Sequence, residues 1–168
     1  MDVATMMRRM EEVGAPSEGV HDFDRLFRED GPGLWRTMVA FTGGRRDIAE
    51  EAVAEAFARA LQHAPGIRDP IPWMYRTAFR IARDELTRDA RRGPAVDSGA
   101  EDPAGTGELL RALRQLSPNQ RAAVVLRYEA DLPVDEVARR MGIAAPTVRV
   151  HLHRGRNRLR ELLGTEEV

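Results

Sequence analysis

Apolar residues recur at intervals of three and four along most of the chain, which is the spacing of one face of an α-helix. The clearest stripe runs from Ala49 to Leu61, between an apolar segment at 23–41 and another at about 73–88. Gly43 ends the segment at 23–41, and Pro65 ends the stripe from Ala49 to Leu61. The pattern predicts three helices, which form a first domain over residues 21–90 after a flexible tail at 1–20. Pro70 and Pro72 are expected to lie in a loop before the third helix.

The apolar periodicity stops at residue 91 and returns at residue 108. Residues 91–107 are rich in Gly, Pro, Ala and Ser and carry three acidic residues, which is typical of a flexible linker. A second domain is therefore predicted over residues 108–168. The fold class is expected to be all-α, with two small helical domains joined by this linker.

The second domain contains a helix-turn-helix pattern. Ser117, Pro118 and Gln120 predict an N-cap, a first helical residue and a capping box. A short helix then ends at Gly142, residues 143–145 form a turn, and Pro146 opens a final helix. A short helix, a glycine turn and a longer basic helix are typical of a helix-turn-helix. The inward-facing residues of the final helix are predicted to be Val148, Leu152, Leu159 and Leu163.

Composition excludes several classes of function. The 168 residues have a formal net charge of -1 and no cysteine, so any basic surface must be local, and disulfides and thiolate metal sites are absent. No stretch approaches the roughly 20 apolar residues of a membrane span, so a soluble, cytoplasmic protein without membrane insertion is expected. His151 and His153 are two residues apart, whereas metal-binding pairs on helices are typically four apart. No catalytic motif appears, and we expect neither an enzyme nor a cofactor.

Arginines dominate the final helix. Five of them, and no acidic residue, lie between Pro146 and Arg160. A solvated basic helix end, which the helix dipole favours, is one interpretation. The other interpretation is that these arginines bind DNA phosphates, and the position of the helix after a helix-turn-helix turn favours it.

Two further surfaces have an open interpretation. Trp73 and Tyr75 lie among four arginines on the third helix, an arrangement that suits unstacked bases and phosphates. Taken alone, the residues favour the other interpretation, in which Trp73 and Tyr75 are core residues and Asp84 and Glu85 neutralise the arginines. The second helix carries acidic residues opposite its apolar stripe, which taken alone indicates a solvated face.

Four segments, in this order, carry a resemblance to a known family: DIAEEAVAEAF from Asp47, WMYRTAFRIARDELTR from Trp73, LSPNQRAAVVLRY from Leu116 and TVRVHLHRGRNRLR from Thr147. Residues 23–88 resemble region 2, and residues 108–163 region 4, of the extracytoplasmic-function (ECF) sigma factors of the sigma-70 family. The resemblance implies a transcription initiation factor. Its implied partners are promoter DNA and core RNA polymerase, the latter through the beta-prime clamp helices and the beta flap. An anti-sigma factor is a further candidate partner.

The resemblance also implies site residues. The acidic helix would dock on the polymerase clamp through Asp47, Glu50, Glu51 and Glu55. The third helix would hold the melted minus-10 element through Trp73, Tyr75, Arg76, Arg80, Arg83 and Arg88, and the loop from Gly66 to Pro72 would capture a flipped base. The final helix would read the minus-35 element in the major groove through Thr147, Arg149, His151, His153, Arg154 and Arg156. The linker would thread the polymerase cleft towards the RNA exit path.

The sequence departs from the family pattern at several positions. Ala54, Arg80 and Pro146 stand where glutamine, asparagine and glycine are usual, and Val150 and His151 replace a frequent serine and arginine. The departure at Ala54 affects the expected docking on polymerase, and those at Pro146, Val150 and His151 predict a minus-35 preference that differs from the family's usual one. The alternative function is a stand-alone helix-turn-helix regulator, which would bind a palindromic duplex as a dimer and would need no acidic docking helix.

Overall fold

The computed structural model describes residues 22–93 and 106–164, and within these ranges it contains seven α-helices and no strand. This confirms the all-α fold class. The helices are α1 (Phe23–Phe41), α2 (Arg46–His63), α3 (Pro70–Arg92), α4 (Thr106–Arg114), α5 (Pro118–Tyr128), α6 (Val134–Met141) and α7 (Ala145–Leu163).

Helices α1, α2 and α3 pack around one apolar core. The stripe predicted on α2 is buried except at its last residue, Leu61, which is 47% exposed. Its buried members are mostly alanines, which let α3 approach closely. Two edge-to-face aromatic pairs join the helices: Phe27 meets Phe57 with ring centroids 4.6 Å apart, and Phe41 meets Phe79 at 4.8 Å. Such pairs stabilise a core beyond the burial of their area. The core therefore fixes the outward faces of α2 and α3.

The boundaries of α3 differ from the prediction. The helix begins at Pro70 rather than near Trp73, so the predicted loop at 66–72 shrinks to residues 67–69 after a 3-10 turn, Ala64–Gly66. Proline fits the first helical turn because its missing N–H would have no partner there. Pro70 and Pro72 are both buried, so they belong to the start of the helix and not to a loop.

The predicted tail and most of the predicted linker lie outside the described residues. At the edges of the linker, Arg91 and Arg92 continue α3, while Thr106 and Gly107 begin α4. The division into two domains at these boundaries stays a prediction.

The predicted capping box is confirmed. The Gln120 N–H donates to Ser117 Oγ at 3.3 Å, and the Ser117 N–H donates to Gln120 Oε1 at 3.4 Å. Gly142 ends α6 in the left-handed conformation, with φ of 69°, as a helix C-terminus requires. Helix α7 then begins at Ala145, one residue before Pro146.

Helix α7 rests on α5 along a narrow contact. Val148 and Leu152 are buried as predicted, whereas Leu159 and Leu163 are only half-buried. Gly155 is the third buried residue of α7, and a Cβ there would lie 2.9 Å from Val124 Cγ2. The close approach of α5 at this glycine sets which side of α7 faces outward.

The two groups of helices pack against each other, and their apolar cores form one continuous cluster. Helix α5 contacts α1, and α6 contacts α3. The buried guanidinium of Arg121 donates to the carbonyl of Phe41 at 3.1 Å and to those of Arg114 and Leu116 at 2.8 and 3.1 Å. Arg139 pairs with Asp69 across the same junction. We refer to this packing of helices α1–α3 against α4–α7 as the closed arrangement.

Candidate nucleic-acid interface

The side of α7 opposite α5 is basic and accessible. Five of the six residues predicted to read the minus-35 element are exposed, and His151 is half-buried. The exposed residues are Thr147, Arg149, His153, Arg154 and Arg156. The N-terminal half of a recognition helix is the part that contacts base edges in a helix-turn-helix, and Thr147, Arg149 and His151 lie there.

The arginines of α7 differ in their bonding. Within the described ranges, Arg149 and Arg154 make no hydrogen bond or ion pair through their side chains. Arg156 donates to the Tyr128 hydroxyl at 3.3 Å, and Arg158 pairs with Glu161 at 3.0 Å. His153 lies 3.1 Å from the Asn157 amide nitrogen. Arg149 and Arg154 therefore have guanidinium groups available for a ligand.

Val150 is a surface residue that the site prediction omitted. Its side chain is 46% exposed between the basic residues of α7. An apolar side chain on the outward face of a recognition helix is suited to the thymine methyl group in the major groove. The available signal was its helical position, which places it opposite the buried Val148 and Leu152 stripe.

The residues predicted on α3 do not share one environment. Arg76, Arg80, Arg83 and Arg88 are exposed and Trp73 is half-buried, but Tyr75 is only 3% exposed. The Tyr75 ring lies under the Arg140 guanidinium, 4.4 Å from its centroid, and burial raises the pKa of the Tyr75 hydroxyl. Tyr75 is thus a core residue in the closed arrangement, and it presents no ring to a base there.

Three of the α3 arginines already have neighbours. Arg76 donates to the Arg139 carbonyl at 2.9 Å, Arg88 bonds Glu85, and Arg83 lies 3.6 Å from Asp84. Arg80 makes no ion pair or hydrogen bond within residues 22–93 and 106–164. Asp84 and Glu85 thus partly neutralise this surface, as one of the two sequence interpretations expected.

The acidic surface of α2 faces outward. Asp47 and Glu51 are exposed, and Glu50 and Glu55 are half-exposed. Asp47 accepts from Arg45 at 2.8 Å, which lowers the pKa of its carboxyl, and Glu55 accepts from Arg59 at 2.6 Å. Glu50 and Glu51 make no ion pair in the described part of the chain. These four carboxylates form an acidic surface on α2, of which Glu50 and Glu51 can meet a basic partner without first breaking an ion pair.

The described ranges offer no candidate for a metal site or a membrane span. No group of three or more potential ligand side chains that would suit a metal ion occurs there. None of the helices in these ranges combines the length and apolar character that crossing a lipid bilayer requires.

Comparison with known proteins gives consistent matches. The family described as sigma-70, region 4 matches residues 106–159. An RNA polymerase sigma-E factor of Streptomyces antibioticus is 33% identical over 83% of this chain and 73% of its own length. RNA polymerase sigma factor CarQ of Myxococcus xanthus is 31% identical over 90% of this chain and 95% of its own. ECF RNA polymerase sigma factor SigL of Mycobacterium tuberculosis is 31% identical over 76% of this chain and 81% of its own.

Solved structures share the fold at lower identity. The sigma factor RpoE of Bartonella quintana, in complex with the anti-sigma factor NepR, matches with a TM-score of 0.69 and 20% identity, over 88% of this chain and 100% of its own. CnrH in complex with the cytosolic domain of CnrY matches with a TM-score of 0.66 and 21% identity, over 86% of this chain and 89% of its own.

Proposed function

Because the chain belongs to the extracytoplasmic-function RNA polymerase sigma factors, and so acts in transcription initiation, we propose that it binds core RNA polymerase, directs it to promoters through minus-10 and minus-35 elements, and assists promoter melting. The observation that carries the proposal is the basic outward face of α7, where Arg149 and Arg154 have no partner within the described ranges. Nothing in the described residues supports catalysis by this chain.

The minus-35 element is assigned to α7. Its exposed N-terminal half fits the major groove, where an arginine fork can bond guanine O6 and N7, and Val150 can contact a thymine methyl. Arg156 lies further along the helix, where a phosphate contact is the expected role. This division predicts that base selectivity resides in residues 147–154.

The minus-10 element is assigned to α3. Arg76, Arg80, Arg83 and Arg88 form an exposed basic row, and Trp73 retains a partly accessible ring. Arginines that hold phosphates beside an aromatic ring suit a single strand. Tyr75 can join this surface only when Arg140 leaves its ring, so its role depends on separation of the two groups of helices. Capture of a flipped base is assigned to the short segment at 67–69 and the start of α3.

The acidic surface of α2 is assigned to polymerase. Opposite charges across an interface steer encounter and fix register, and the basic partner surface proposed is on the beta-prime clamp helices. The beta flap is proposed as a second contact, to residues 106–164. An anti-sigma protein is also among the proposed partners, since RpoE is in complex with one. The cytoplasm, where polymerase acts, is the proposed location.

The proposal is tested with the purified full chain and bacterial core RNA polymerase. We expect co-elution on gel filtration and specific run-off transcripts from promoter fragments of the host DNA. A chain that ignores polymerase yet shifts duplex DNA by itself would instead support the stand-alone regulator.

The docking surface is tested by charge reversal. We expect Glu51→Arg/Glu55→Arg to weaken co-elution with core polymerase at least tenfold while the helix content stays unchanged, since the exposed Glu55–Arg59 pair contributes at most about 1 kcal/mol. The control variant Glu29→Arg/Glu108→Arg makes the same change of charge on α1 and α4. Equal co-elution of the two variants would remove α2 from the interface.

A further inference from the structure

A cavity of about 170 Å³ lies between α3 and the helix-turn-helix. Arginine side chains line it from both sides: Arg76, Arg80 and Arg83 from α3, and Arg140 from α6. Asn119 adds an amide group and Phe79 part of an apolar floor, and no acidic residue is among the lining residues. The cavity exists only in the closed arrangement, because its two walls belong to different groups of helices.

Nearby carboxylates balance only part of the positive charge in this cavity, and they do so at Arg140 and Arg83. Arg140 pairs with Glu136 at 2.9 Å, and Arg83 has the half-exposed Asp84 at 3.6 Å. Arg76 bonds a neutral carbonyl, and Arg80 has no partner within the described ranges. Like charges held close together repel. An anion between the walls would turn this repulsion into attraction.

The size and chemistry of the cavity restrict the anion. Its volume is below the roughly 300 Å³ of pockets that enclose a whole drug-sized ligand. Guanidinium groups match phosphate oxygens with two parallel hydrogen bonds, and several arginines favour a polyvalent anion. A group of one or two phosphates therefore fits, while any larger body attached to it would extend into solvent.

We propose that this cavity binds a small phosphate-bearing anion, of the size of inorganic pyrophosphate, and that the bound anion stabilises the closed arrangement. A ligand that contacts both walls binds only the closed arrangement, so mass action shifts the population towards it. The site rests on the contacts between the two groups of helices and does not depend on the proposed function. If the chain also holds minus-10 phosphates through α3, the anion competes for Arg76, Arg80 and Arg83.

The site is tested on the full chain by calorimetric titration and thermal unfolding with sodium pyrophosphate, at an ionic strength held constant with sodium chloride. We expect saturable binding and a saturable rise in Tm. Arg80→Gln should weaken the affinity at least tenfold without loss of fold, since Arg80 is exposed and unbonded in the described structure. Arg140→Gln should weaken it from the opposite wall. Arg25→Gln, on the exposed Arg25–Glu29 pair of α1, is the matched control and should bind as the wild type.

Two results would overturn the site. One is a non-saturating effect of pyrophosphate that is equal in Arg25→Gln and Arg80→Gln, which would be general ionic screening. The other is saturable binding that Arg80→Gln leaves unchanged, which would place the anion elsewhere.

Stabilisation of the closed arrangement has its own readout. Cysteines introduced by Asp69→Cys and Arg139→Cys, in a chain that otherwise has none, can be joined across the junction by a short bifunctional maleimide. Pyrophosphate should raise the rate of this cross-link several-fold. If pyrophosphate binds but leaves the cross-linking rate unchanged, it does not stabilise the closed arrangement, and that part of the proposal is wrong. All of these measurements omit polymerase and promoter DNA, so their failure is distinguishable from failure of the proposed function.

Discussion

Arg149 and Arg154 are the two residues of α7 on which promoter selection should depend most. Their guanidinium groups have no partner within the described ranges, so contact with a base requires no prior bond to break. We expect Arg149→Ala and Arg154→Ala each to reduce discrimination between the preferred promoter and its single-base minus-35 variants by about 1 to 3 kcal/mol. Competitive run-off transcription with paired templates measures this difference.

Arg158→Ala is the control for both substitutions, because Arg158 lies further towards the C-terminus and pairs with Glu161. Its effect on discrimination should be small. Undiminished discrimination in both Arg149→Ala and Arg154→Ala would show that base selection lies elsewhere.

Arg121 is the residue on which the junction between α1 and α5 depends. It lies buried with three carbonyl acceptors, and burial lowers the pKa of its guanidinium. Because removal of the guanidinium leaves these carbonyls without their donor, we expect Arg121→Met to lower the free energy of unfolding by about 2 to 3 kcal/mol. Urea unfolding measures the loss.

Arg127→Met provides the comparison on the same helix. Arg127 pairs with the almost fully exposed Asp131 at 3.6 Å, and an exposed pair of this kind contributes at most about 1 kcal/mol. Similar losses in the two variants would mean that the carbonyl bonds of Arg121 contribute little.

Single residues show where sequence reasoning was sufficient and where it was not. The capping box at Ser117 is a local pattern, and the structure confirms it. Tyr75 is different, because two interpretations fitted the sequence and only the position of Arg140, 65 residues further along the chain, puts its ring in the core. Arg121 likewise reads as an ordinary helical arginine until α1 is brought against it. Local bonds are predictable from sequence, and contacts between distant segments are not.

Helix α7 keeps its outward face fixed because Gly155 allows α5 to come close. A side chain at this position meets the stiff, buried Val124. We expect Gly155→Leu to lower the free energy of unfolding by about 1 to 2 kcal/mol, since overpacking of 1 to 3 kcal/mol is partly offset by the better helix propensity of leucine. Urea unfolding should show Arg160→Leu, an exposed change on the same helix, within about 0.5 kcal/mol of the wild type. A Gly155→Leu variant as stable as Arg160→Leu would contradict close packing here.

The existence of the helices could be predicted from the sequence more accurately than the residues at which they begin and end. The stripe on α2 and the glycine at the end of α6 were sufficient to place those elements. The prediction of a loop at Pro70 and Pro72 is wrong because proline interrupts a helix only beyond its first turn, where there is a backbone hydrogen bond for it to remove. Whether a proline ends or begins a helix depends on which side of it the apolar stripe lies.

At the scale of the molecule, the proposed contacts of α3 with the minus-10 element and of α7 with the minus-35 element are incompatible with the closed arrangement. Elements centred near positions minus-10 and minus-35 are about 25 base pairs apart, or about 85 Å of B-form DNA at 3.4 Å per base pair. A compact chain of this length has a radius of gyration of about 15 Å, so its diameter is only about 40 Å. The closed arrangement also buries Tyr75 and engages Arg76. Separation of the two groups of helices must therefore precede recognition of both elements.

A covalent bridge across the junction tests this requirement. The cross-linked Asp69→Cys/Arg139→Cys protein should give at least tenfold less promoter-specific run-off than the same protein before cross-linking, because α3 and α7 can no longer reach their separate elements. Each single-cysteine variant, treated with the same reagent, controls for modification, and the lower of their two transcript levels is the reference for the cross-linked protein. Full transcription by the cross-linked protein would mean that the junction between α3 and α6 persists on the promoter, and that at least one of the two DNA assignments is wrong.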